Sequence, residues 1–149
     1  KRQAMILAVH HAAMSVADLE RSLRFYRDLL GFRELWRRDM VPGNAKRDRI
    51  FGLQGVAGRI VMLQFGTLCL ELFEFASPAQ GPSDARRPVH LRGITHLCFD
   101  VRGIHDEHAR LEAAGVSFHC PPQEMDTGKW VTYGRDPDGN VFELREAAA

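Results

Sequence analysis

Two histidines and two glutamates stand at matching places in the two halves of this 149-residue chain. Adding 85 to the residue number carries His11 to His96 and Val16 to Val101, and adding 72 carries Glu71 to Glu143, Leu72 to Leu144 and Glu74 to Glu146. The run Leu70-Glu-Leu-Phe-Glu74 thus answers to Phe142-Glu-Leu-Arg-Glu146. Side chains alternate along a strand, so Glu71 shares a face with Cys69 and Phe73 while Leu70 and Leu72 point the other way. A carboxylate in so apolar a segment is costly unless it meets a cation, binds a metal or faces a solvated cavity. A single strand histidine or glutamate would carry little weight, but the twofold recurrence makes His11, Glu71, His96 and Glu143 a ligand set. Two imidazoles and two carboxylates suit Zn, Ni, Co, Mn or Fe(II), with coordination positions left for water or substrate, and this favours catalysis over a closed structural site.

The elements that must position these residues read as a repeated β-α-β-β-β order. In the first module, residues 6 to 75, Val9 to Val16 predicts a strand and Asp18, Leu19, Leu23, Tyr26 and Leu30 an amphipathic helix closed by Gly31. Phe32 to Trp36 follows as a strand, Arg37 to Gly55 as a polar loop, and Arg59 to Phe65 with Leu68 to Phe75 as a hairpin. Residues 76 to 92, with Pro78, Gly81, Pro82 and Pro88, read as a linker. The second module, residues 93 to 146, repeats the order: strand Ile94 to Val101, helix Ile104 to Ala114 ending at Gly115, strand Val116 to His119, and a hairpin of Trp130 to Arg135 with Val141 to Arg145. The hairpin turn Asp136-Pro-Asp-Gly-Asn140 explains itself structurally, because proline presets φ and glycine accepts positive φ. The fold class is α+β, and residues 1–149 form a single domain of two tandem modules; residues 1 to 5 precede the first strand.

Composition narrows the function classes. Twenty Lys+Arg against 19 Asp+Glu leave a net charge of +1, which is no footprint for nucleic acid, and no apolar stretch approaches the roughly 20 residues that span a bilayer. Three cysteines without C-x-x-C spacing predict reduced thiols and a cytoplasmic location, with Cys69 and Cys98 as small core residues.

His11-Ala-Ala-Met-Ser-Val-Ala-Asp18-Leu-Glu-Arg-Ser-Leu-Arg-Phe-Tyr26, Gly31-Phe32, Leu70-Glu-Leu72, Thr95-His96-Leu97 and Asp136-Pro-Asp-Gly-Asn-Val-Phe-Glu-Leu144 resemble the vicinal oxygen chelate superfamily. This is the group of glyoxalase I, methylmalonyl-CoA epimerase, extradiol dioxygenases and the fosfomycin and bleomycin resistance proteins. The resemblance spans roughly residues 9 to 146. It implies that the paired modules curl into a cupped, mixed and antiparallel sheet holding one divalent metal at His11, Glu71, His96 and Glu143. The full ligand set favours the glyoxalase and epimerase branch, since extradiol dioxygenases usually lack a ligand at the position of Glu71. Glyoxalase I commonly carries an arginine where Ser15 stands, so glutathione is not the first substrate expected.

The chemistry implied is Lewis-acid-assisted transfer of an α-proton on a small substrate chelating through vicinal oxygens, with Glu143, or Glu71 by symmetry, as the base. A ligand-sequestering protein or an Fe(II) ring-cleaving dioxygenase is the alternative. Arg37, Arg38, Lys46, Arg47 and Arg49 against Asp39 and Asp48 leave a local excess of +3, and Arg47 and Arg49 could hold an acidic substrate group. Phe51, Phe65, Phe73, Phe75, Phe118, Trp130 and Tyr133 could line a cavity, Trp130 and Tyr133 being the substrate candidates. His105 and His108 belong to the second helix, and His10 faces away from His11 as a packing or interface residue. Uncovered strand edges imply a homodimer.

Overall fold

A computed structural model describes residues 5–148; of the residues expected to precede the first strand, residues 1 to 4 lie outside the described residues. The chain divides into two compact units, Lys1–Gly81 and Pro82–Ala149. In the first, β1 (Ala12–Ser15) leads into α1 (Leu19–Leu23) and a π-helical segment (Arg24–Leu29), then β2 (Arg33–Met40), α2 (Ala45–Phe51), β3 (Ala57–Phe65) and β4 (Leu68–Ser77). Its sheet runs β1-β4-β3-β2, with β1 parallel to β4 and the other pairs antiparallel. In the second unit β5 (His96–Asp100) is followed by α3 (Ile104–Ala113), β6 (Ser117–Phe118), β7 (Gln123–Glu124), β8 (Trp130–Arg135) and β9 (Val141–Glu146). That sheet runs β5-β9-β8-β6, with β5 parallel to β9 and β7 also paired to β8. The α+β class is thus two mixed sheets, one per unit. No helix among the described residues is long and apolar enough to cross a membrane.

Each sheet buries one face under its helix. In the first unit Val61, Leu63, Leu70 and Leu72 are fully buried with Leu19, Leu23 and Tyr26, and α1 lies against β4. Asp18 caps α1 by accepting from the Arg21 N–H at 2.9 Å. In the second unit Ile104, His108 and Leu111 of α3 are buried, α3 lies against β9, and the His108 ring sits 4.3 Å from Phe118.

Three expectations need correction. The segment from Arg37 to Gly55 is not one loop: β2 continues to Met40, and Ala45–Phe51 is helical. The strand was hidden because β2 is an edge strand whose Arg37, Arg38 and Asp39 are exposed, as edges commonly are. The helix was hidden because no apolar stripe holds it. Asn44 accepts from the Arg47 N–H, Gly52 closes the C-terminus with φ 65°, and Asp48 accepts from the N–H groups of Gly55 and Val56. Finally, Cys98 is exposed and Cys69 only half-buried, because both lie on the sheet faces turned away from the helices.

A carboxylate on the last strand of each unit ties the sheet to the start of its helix. Glu74 accepts from the Leu19 N–H at 2.6 Å and pairs with Arg59 at 2.8 Å; Glu146 accepts from the Gly103 and Ile104 N–H groups at 2.6 and 3.1 Å. The two backbone donors hold the Glu146 carboxyl below the ordinary glutamate value of 4.5. A carboxyl lowered in the folded state adds stability above its unfolded value, and that contribution is lost as pH falls through the lowered value. Glu146→Gln is therefore expected to lower Tm near pH 7 and to approach the wild type as pH falls below 4.5. Thermal melts across that range check this; a deficit independent of pH would contradict it.

Candidate metal centre

Glu71 is three residues before Glu74, and Glu143 three before Glu146, so strand alternation sends each pair to opposite faces. While Glu74 and Glu146 reach the helices, Glu71 and Glu143 project from the other side. There His11 Nε2 lies 3.3 Å from Glu71 Oε2, with side chains 34% and 13% exposed. His96 Nε2 lies 2.9 Å from Glu143 Oε2, with side chains 23% and 15% exposed. Four other glutamates, Glu20, Glu34, Glu74 and Glu107, are paired with arginine, whereas among the described residues Glu71 and Glu143 have no Arg or Lys partner. A largely buried carboxylate beside a histidine, with no Arg or Lys partner among the described residues, forms with it a donor pair suited to a divalent cation. Among the described residues no three His, Cys, Asp or Glu side chains gather within metal-binding reach; each unit presents one His–Glu pair.

Both imidazoles are oriented in the same way. His96 Nδ1 is 2.9 Å from Thr95 Oγ1, and His11 Nδ1 is 2.8 Å from His10 Nδ1. For Nε2–H to donate to the glutamate, Nδ1 must accept, from the Thr95 hydroxyl in one unit and from the His10 ring in the other. His10 is thus a supporting residue and not one that faces away: residues 10 and 11 precede β1, where strand alternation does not hold. The same offset of 85 carries His10 to Thr95, a signal present in the sequence.

The surroundings of the two glutamates differ. Cys98 is the β5 neighbour of Glu143, whereas Ala13 is the β1 neighbour of Glu71. Partial burial, then the charge of Glu143 and a hydrogen bond to it, push the Cys98 thiol up to about 11, so it stays protonated and donates to that carboxylate. Tyr133 is the β8 neighbour of Glu143 with its ring 4.8 Å from His96; partial burial and then Glu143 raise its phenol above the ordinary value. His119, 6.1 Å from Tyr133, is lowered by partial burial and then by Arg135, whose Nε is 3.1 Å from its Nε2.

Of the substrate candidates, Tyr133 therefore belongs to the Glu143 face. Trp130 does not: it lies on the helix side, 4.7 Å from the His105 ring, as Phe118 lies beside His108. The Arg47 guanidinium donates to the Val41 and Val56 carbonyls at 2.9 and 3.4 Å and braces α2, while Arg49 is exposed on that helix. Phe51, Phe73 and Phe75 form an aromatic cluster beside Glu71, with Phe73 and Phe75 stacked at 5.6 Å and Phe51 edge-on to both.

Residues 8–144 match the Glyoxalase/Bleomycin resistance protein/Dioxygenase superfamily, and the chain belongs to it. It is 31% identical over 150 residues to a lactoylglutathione lyase of Pseudomonas aeruginosa, covering 93% of this chain and 82% of that protein. It is 30% identical over 149 residues to a 2-epi-5-epi-valiolone epimerase of an Actinomyces species, covering 93% and 78%. The crystal structure of a glyoxalase family protein from Bacillus cereus superposes with a TM-score of 0.89 at 20% identity, covering 100% of this chain and 99% of that one, a likeness of fold.

Thr95→Val keeps the shape of the side chain and removes the donor to His96 Nδ1. The His96 imidazole is expected to change from one tautomer to a mixture, read from nitrogen shifts by NMR, and affinity for Zn²⁺ to fall about 10- to 100-fold. An unaltered tautomer and unaltered affinity would contradict the supporting role.

Proposed function

We propose that this chain is a divalent-metal enzyme of the isomerase, epimerase or lyase type, moving a proton at the carbon beside a carbonyl of a small substrate that presents two vicinal oxygens. The carrying observation is the doubled His–Glu pair, with neither carboxylate paired to Arg or Lys among the described residues. Its resemblance to a lyase and an epimerase at 31% and 30% identity supports the reading. His11, Glu71, His96 and Glu143 would together hold one ion, Zn, Ni, Co, Mn or Fe(II), and their mixed imidazole and carboxylate donors fit such a cation. When bound, the ion supplies Lewis-acid polarisation of the substrate carbonyl.

This chain's residues then divide the remaining work. Thr95 and His10 aim the imidazoles, and the neutral Tyr133 phenol can donate a hydrogen bond to a substrate oxygen near Glu143. A carboxylate must take the α-proton, and Glu143 and Glu71 are the two candidates. Glu143 is held by His96 at 2.9 Å and by the Cys98 thiol, while among the described residues Glu71 is paired with His11 alone at 3.3 Å, so Glu71 is freer to swing to the substrate carbon and serves as base.

The test is exchange of the α-proton of small α-hydroxy ketones for solvent deuterium, followed by NMR. Glu71→Gln is expected to slow exchange about 10²- to 10⁴-fold with metal still bound. Undiminished exchange in Glu71→Gln would overturn the base assignment, and no exchange by metal-loaded wild type would overturn proton transfer. The aromatic cluster at Phe51, Phe73 and Phe75 supports a second reading, capture of a small molecule without turnover, which stoichiometric binding with no exchange would favour.

A further inference from the structure

The arginines of β2 and β3 divide by the face of the sheet they occupy. On the helix side Arg37 pairs with Glu20 at 2.7 Å and Glu34 at 3.1 Å, and Arg59 pairs with Glu74 at 2.8 Å. On the other side Arg38 has no carboxylate partner among the described residues; its guanidinium carbon Cζ sits 4.8 Å from the centre of the Trp36 ring. Glu34 and Asp39 flank these residues in sequence, but alternation sends them to the helix side, where Glu34 pairs with Leu63 and Asp39 with Arg59 in the ladder.

The register fixes what else shares the face of Arg38. Trp36 pairs with Met62 and Met62 with Glu71, while Arg38 pairs with Ile60 and Ile60 with Phe73. The irregularity between Glu34 and Trp36 adds Leu35 to β2, so Arg33 also falls on this face, where it donates to Gln64 at 2.8 Å. Neighbouring strands lie about 4.8 Å apart, so β2 stands about 10 Å from Glu71 across the width of β3. Met62 and Ile60 make the floor between them apolar, and Met62 is buried. A guanidinium stacked on an aromatic ring keeps its planar fork of donors and has less freedom to lose when it binds a carboxylate or phosphate bidentately. Of the five basic residues from Arg37 to Arg49, Arg47 is engaged with backbone carbonyls and Lys46 and Arg49 are exposed on α2, which leaves Arg38 as the cation placed over the sheet.

We infer that the Trp36–Arg38 pair is a recognition site for an organic anion, its acidic head on the Arg38 fork and its apolar chain over Ile60 and Met62. The width of β3 separates this site from His11 and Glu71, and it does not rest on the metal reading. The acid has two possible sources, the far end of the substrate or a separate small molecule, and both present the same chemistry to Arg38.

Two arms on the full chain test the site and its source. In the metal-free protein, hexanoate is titrated while the Trp36 indole N–H and the Arg38 Nε–H resonances are followed by NMR. Saturable shifts of both are expected, with an affinity about tenfold or more above that of hexanamide, which has the same chain and no charge, and weakening as salt is raised. Arg38→Met removes the fork at an exposed position and is expected to abolish the preference, and Arg38→Lys to keep part of it. No shifts at these two residues, equal affinity for the two compounds, or a preference preserved in Arg38→Met would overturn the site. In the metal-loaded protein, solvent exchange is compared for 6-hydroxy-5-oxohexanoate and 1-hydroxy-2-hexanone, which share the vicinal oxygens and differ in the terminal carboxylate. A KM about tenfold lower for the acid, lost in Arg38→Met, supports the site as the substrate's own; equal KM values with a rate altered by added hexanoate support a separate acid. No exchange of either ketone would count against the proposed proton transfer, with the hexanoate titration still deciding the site.

Discussion

The arrangement depends on a carboxylate on the last strand of each unit that is bonded to the start of a helix. Glu74 meets the N–H of Leu19, and Glu146 those of Gly103 and Ile104. The first turn of a helix has donors without internal partners, so a carboxylate there satisfies groups that would otherwise need water. The bond also fixes which face of the strand meets the helix. Once Glu74 and Glu146 are committed, a separation of three residues leaves Glu71 and Glu143 on the opposite face. Structural and chemical carboxylates are thereby separated by the strand's period of two.

Duplication gives both units this device, and the departures from exact repetition give them different chemistry. The histidine is aimed by a ring in one unit and by a hydroxyl in the other. Cys98 holds Glu143 where Ala13 leaves Glu71 without that donor. The first unit alone carries α2, whose Phe51 joins Phe73 and Phe75 beside Glu71. The less tethered carboxylate is thus the one beside an aromatic surface.

Offset arithmetic was enough to expose the repeat and to name the four ligand candidates, because these depend on which residue types recur and at what distance. The Asp18 cap and the turn at Asp136 were also readable, since both are local: the Asp136 side chain accepts from the N–H groups of Asp138 and Asn140 two and four residues on. What escaped was held by contacts distant in sequence or by edges. The polar residues of β2 look like loop until pairing with β3 is known. The helix α2 is fixed by Asp48 and Arg47 reaching residues several positions away. Trp130 looked available to substrate, but register puts it opposite Glu146 and so on the helix side. Cys98 looked like core because its neighbours are apolar, when the face it occupies is the one that carries Glu143.

The central claim is that the two His–Glu pairs serve one ion. Metal content of natively purified protein, measured by elemental analysis alongside Zn²⁺ affinities of His11→Ala, Glu71→Ala, His96→Ala and Glu143→Ala, tests it most directly. The account predicts one divalent ion per two pairs, with each of the four substitutions weakening that single site. Two independent weak sites, each sensitive only to its own pair, or no metal taken up on reconstitution, would contradict it.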